Sequence, residues 1–103
     1  MDLAELTIDV ACLLIGTTFA VALPNGGGTE LRLEIASGHG AGLASSAEPE
    51  IREPFSLLFL GDRSVVLPQG MYDIRSNAAC FEGIFLVPIG HDGYATQYEA
   101  VFS

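Results

Sequence analysis

Few residues in this chain have the types needed for chemistry, and their spacing brings little together. His91 and Asp92 are adjacent, with His39 and Cys80 elsewhere. An enzyme built on His91, Asp92 and Cys80 would need a base, an acid and a thiol to converge. As metal ligands these residues lack a His-x-x-x-His or Cys-x-x-Cys spacing. His91 also falls in "HDGYA", where Asp and Gly are expected for turn formation. His39 stands between glycines in a loop. Ser56 is embedded in the apolar run "PFSLLFLG", and no Gly-x-Ser-x-Gly elbow occurs. Ser45 and Ser46 have no base nearby in sequence. Glu48 and Glu50 flank Pro49 in a loop, with nothing to raise a pKa. "NGGG" lacks the lysine and helix of a phosphate loop. Glu99 is either an exposed strand residue, the favoured reading, or a buried acid paired with an arginine. The expectation is therefore no enzyme, no catalytic residue, no metal and no cofactor.

Composition points the same way. The chain has 103 residues, half of them hydrophobic, and a formal charge of −9. It has no lysine; its cations are Arg32, Arg52, Arg63 and Arg75. Phosphate neutralisation needs clustered Lys or Arg, so nucleic-acid binding is excluded. Anionic membranes would repel the chain. A domain of this length buries only about two thirds of the surface its unfolded chain exposes. Part of the apolar load is therefore expected to meet another molecule. Cys12 and Cys80 sit in apolar runs and read as buried thiols. "VACLLIGTTFAVA" is too short to span a bilayer. It follows Asp2, Glu5 and Asp9 with no cation, so it is not read as a secretory signal. A cytoplasmic location, or a place in an assembled particle, is expected.

The elements that position these residues are mostly strands. Leu3, Leu6, Val10, Leu13 and Leu14 mark a helical stripe over about 3–15, with Thr7 as a cap and Gly16 as a stop. The period then changes to two. Strands are expected at about 17–23, 29–37, 54–60, 70–75, 83–90 and 95–102, with a mobile loop at 38–53. In the second strand Leu31, Leu33 and Ile35 share a face. In the fifth, Phe85, Val87 and Ile89 oppose Ile84, Leu86 and Pro88. "NAACFEG" reads as a connection. The sum is one mainly β (α+β) domain over 1–103, with six to seven antiparallel strands in a small barrel or compact sandwich and one short N-terminal helix.

The ordered set "REPFSLLFLG", "LPQGMYDI", "FLVPIG", "DG" and "YEAVF" resembles a family of small bacterial proteins whose domain has no assigned function. That family is similar in setting to accessory proteins found beside phage-tail-collar, or microcystin-dependent, proteins. The resemblance implies a short helix before the strands and supplies no catalytic residues. Members tend to carry a histidine after "QGxY", where this chain has "RSNAAC".

The expected function is a non-enzymatic structural or protein-interaction module. It would self-associate or dock on a larger assembly, such as a phage-tail-like fibre or collar. Its interface candidates are Leu58, Leu60, Phe85, Leu86, Pro88, Tyr94 and Tyr98. The alternative is a barrel holding a small apolar ligand between its faces.

Overall fold

The computed structural model describes residues 6–23, 27–38, 55–91 and 93–102. The expected mobile loop at 38–53, with His39, Ser45, Ser46, Glu48 and Glu50, lies almost entirely outside them, as does Asp92. The chain forms a short helix, α1 (Ile8–Leu13), and six strands. These are β1 (Thr18–Ala22), β2 (Gly28–Gly38), β3 (Phe55–Asp62), β4 (Gly70–Arg75), β5 (Cys80–His91) and β6 (Ala95–Phe102). All pairings are antiparallel, and the order β1-β2-β3-β6-β5-β4 closes into a barrel. Two pairs, Ala20 with Arg75 and Val21 with Ile74, make the closing seam.

The helix starts where Thr7 Oγ1 accepts the Val10 N–H at 3.3 Å, with Asp9 in its first turn. Its end is tied to β2: Gly16, at φ 91°, donates its N–H to the Leu33 carbonyl at 2.7 Å. That left-handed backbone suits glycine. Leu6, Ala11 and Leu14 are buried, but Leu13 is 83% exposed. The expected stripe misplaced Leu13 because Leu6 precedes the helix, whose buried face is set by Ala11. Leu13 lies about 200° round from Ala11 at 100° per residue.

Period-two alternation fills the barrel. Phe19, Val21, Leu31, Leu33, Phe55, Leu57 and Phe59 point inward and are almost fully buried. Phe19 of β1, Phe59 of β3 and Phe81 of β5 come from alternate strands and meet inside. The Phe19 and Phe59 rings are edge-on at 6.0 Å; Phe19 and Phe81 stack at 5.5 Å. A barrel of up to eight strands is narrow enough for side chains to fill.

Three register shifts break the alternation, the third between Pro88 and Gly90 of β5 where it pairs with β6. The β2–β3 register shifts between Leu33 and Ile35, so Ile35 turns outward opposite Leu58 and Ala36 faces in. The expectation that Ile35 shares the face of Leu31 and Leu33 fails for this reason. The second bulge lies in β5 opposite Asp73, whose Oδ1 accepts the Gly83 N–H at 2.8 Å. Gly83 has φ 73°. Part of the stretch read as a connection, Cys80–Gly83, therefore belongs to β5, with Phe81 and Ile84 both inward.

The β3–β4 crossover runs on the β6–β5 side of the barrel, where hydrogen bonds to Tyr98 and Gly93 hold it. Leu67 on it is buried. The buried Tyr98 hydroxyl accepts the Leu67 N–H at 2.8 Å and donates to the Val65 carbonyl at 3.2 Å. Arg63 Nη1 donates to the Gly93 carbonyl at 2.7 Å, tying the crossover to the β5–β6 turn.

Candidate interaction site on the outer face

The fold separates the seven interface candidates. Leu86 and Tyr98 point into the barrel and are buried, so neither can form an outward-facing surface. Both stand on the inner side of their strands. Pro88 is half-buried opposite Tyr98. Leu58 and Leu60 lie on the outer side of β3 and are half-buried. Phe85 is outward and 44% exposed; Tyr94, in the β5–β6 turn, is 89% exposed.

The outward residues join others that sequence reasoning did not single out. Across the strands, Ile35 pairs with Leu58, Leu58 with Glu99, and Glu99 with Val87. Val101 follows Glu99 by two residues on the same face of β6. Phe85 precedes Val87 by two on β5 and pairs with Met71 of β4. The result is an apolar belt across five of the six strands, with Val101 62% and Met71 66% exposed. Cross-strand neighbours have Cβ atoms about 5 Å apart, so these side chains form one surface. Ile35 could not be found by alternation because of the β2 bulge. Met71, Val87 and Val101 carried a signal, an apolar residue opposite an apolar inward set, but their strand neighbours were unknown without the register.

Glu99 is the one charged side chain inside this belt. It is half-buried and flanked by Leu58 on β3 and Val87 on β5. It has no ion-pair partner among the described residues. The ion pair present there joins Arg32 and Glu34 at 3.1 Å. The exposed-strand reading of Glu99 is the nearer of the two.

A separate groove of about 620 Å³ runs beside the belt, with Thr18, Glu30, Arg32, Asp62 and Tyr94 on its walls and Leu60 at the junction. Asp62 shapes one end. Its Oδ1 accepts both the N–H and the hydroxyl of Ser64, at 2.9 and 2.8 Å. The backbone bond, then the hydroxyl bond, with a smaller effect from Arg63, holds the carboxyl below its ordinary value. The sign follows: a depressed folded-state pKa gives stability that is complete above the unfolded value, near 3.8, and fades as pH falls through the folded value. Asp62→Asn keeps an acceptor for Ser64 without the titration. In acid titrations followed by circular dichroism, it should lose less stability than wild type between pH 5 and 2. Parallel curves would refute the assignment.

The residues suspected of chemistry do not converge. His91 is exposed at the end of β5, Cys80 is half-buried at its start, and Ser56 is on β3. Cys12, expected to be buried, is exposed on α1, and both cysteines are thiols. Among the described residues no group of His, Cys, Asp or Glu is placed to hold a metal. No buried side-chain polar atom there lacks a partner. Nor is any helix there long and apolar enough to cross a membrane.

Residues 6–102 match the model of a family described as Domain of unknown function (DUF6916). The chain belongs to that family. No curated protein and no solved structure matches it. Among the described residues of this DUF6916 domain, the outer belt and the groove beside it are two separate surface features. Among the described residues lining the groove the one cation, Arg32, is engaged by Glu34, whereas the belt leaves large apolar side chains against water.

Proposed function

We propose that this DUF6916 domain is a non-enzymatic interaction module that docks through the outer belt onto a larger protein assembly. An assembly of the phage-tail fibre or collar kind fits the motif resemblance, an associational argument. The observation that carries the reading is the belt itself: Ile35, Leu58, Val87, Val101, Phe85 and Met71 form one contiguous apolar surface while the inner faces are already filled. Contiguous exposed apolar patches mark interaction sites more often than scattered ones do. Self-association would use the same surface.

The test compares wild type with the double variant Leu58→Asp, Val101→Asp. Both side chains point outward, away from the barrel interior, and thermal melts check that the double variant stays folded despite the new carboxylate opposite Glu99. Immobilised protein is exposed to extract of the native host, and retained proteins are identified by mass spectrometry. Light scattering gives the mass in parallel. Wild type should retain a protein, or a second copy, that the double variant loses by about tenfold or more. Equal retention by both would remove the belt as the site.

A further inference from the structure

From Glu99 we infer the partner's chemistry: the belt docks on a different protein that presents one Lys or Arg within an apolar patch. This rests on the belt being the docking surface and goes on to say what covers it. Any partner that covers the belt takes Glu99 out of water, and a buried carboxylate must be paired or neutralised. Nothing in the belt can pair with it. Its neighbours across the strands are Leu58 and Val87; those two residues along β6 are Gln97 and Val101. The residues diagonal to it are Ser56, which is buried, and Leu60 on β3, and Phe85 and Gly90 on β5, where the register shifts at Ile89. None of these is titratable. Among the described residues, the charges on the outer face lie further off, Arg32 and Glu34 on β2, Glu82 at the far end of β5 and Asp73 on β4.

Among the described residues, a second copy brings no cation to the belt. In a two-fold contact the same surface meets itself, so belt would face belt and each would bring only its own Glu99. The chain has no lysine. Its described arginines lie outside the belt: Arg32 bonds Glu34, Arg63 bonds Gly93, and Arg75 sits on β4 opposite Cys80. A charge of −9 on each copy adds repulsion. An apolar patch with a central cation meets both demands, filling the belt and pairing with its carboxylate, and the net charge favours its approach.

The experiment pans the full-length protein against phage-displayed random peptides, with the soluble double variant Leu58→Asp, Val101→Asp present to remove binders that do not need the belt. Selected peptides are synthesised and titrated by fluorescence anisotropy against wild type, Glu99→Gln and the double variant. The peptides should carry a Lys or Arg between apolar residues and bind Glu99→Gln at least about tenfold more weakly. Sedimentation at neutral pH should show wild type as a monomer. Belt-dependent peptides without a cation, or with equal affinity for Glu99→Gln, would overturn the inference and leave the belt standing. So would a wild-type dimer that the double variant abolishes. If no peptide depends on Leu58 and Val101, the belt reading falls and takes the inference with it.

Discussion

Phe19→Ala should cost about 3–5 kcal/mol of folding stability, the range for truncating a buried aromatic residue. A domain of this size has only about 5–15 kcal/mol in total. The melting temperature should therefore fall by about 12–40 °C, at roughly 4–8 °C per kcal/mol. The reason is where the ring sits. Phe19 is fully buried and touches both Phe59 and Phe81, whose strands are not its neighbours in the sheet. Removing it takes away the contact that joins three alternate strands across the lumen, and a narrow closed barrel cannot collapse to fill the gap. Phe19→Leu retains most of the volume and should lose much less, about 1 kcal/mol. Urea unfolding of both variants checks the difference. If Phe19→Ala melted within a few degrees of wild type, the rings would not be packing the interior. The same rings occupy the space that a lumenal ligand would need, which is why the outer face, rather than the lumen, carries the proposal.

The barrel was legible because its strands keep a period of two through most of their length, and the β1–β2 and β5–β6 turns carry glycine. Alternation alone put Phe55, Leu57 and Phe59 on one side and Leu58 and Leu60 on the other, as the structure has them. It also separated Phe85, Val87 and Ile89 from Ile84, Leu86 and Pro88. Alternation cannot say which set faces the core when both are apolar, so Phe85 and Leu86 entered one list although they lie on opposite sides of β5. Bulges were the second blind spot. A single extra residue inverts every side chain beyond it, and the inversion at Glu34 sent Ile35 outward. The belt was hidden for a third reason: it depends on which strands are neighbours. β3 lies beside β6 rather than β4, and that crossover sets Leu58 against Glu99, residues far apart in sequence.

One buried hydroxyl anchors the middle of the crossover, and Tyr98→Phe should show it. The Tyr98 ring is buried in the barrel, while its oxygen accepts the Leu67 N–H and donates to the Val65 carbonyl. Phe keeps the ring and its packing and removes only the oxygen. The Leu67 N–H then loses its partner in a buried position, at a cost of about 1–3 kcal/mol. The melting temperature should drop by about 5–20 °C. The damage should also be local. In native-state hydrogen exchange the Leu67 amide should lose protection by more than the global change in stability explains, while the central amides of β3 and β6 follow the global change. A uniform loss across all amides, or protection at Leu67 equal to wild type, would mean that the crossover is held by other contacts. Because the hydroxyl lies inside the barrel and the belt lies outside, folded Tyr98→Phe should bind belt-dependent peptides as wild type does. The inner and outer faces of β6 would then be separable by mutation: Tyr98 secures the β3–β4 connection from inside, and Glu99, the next residue, lies on the outer face.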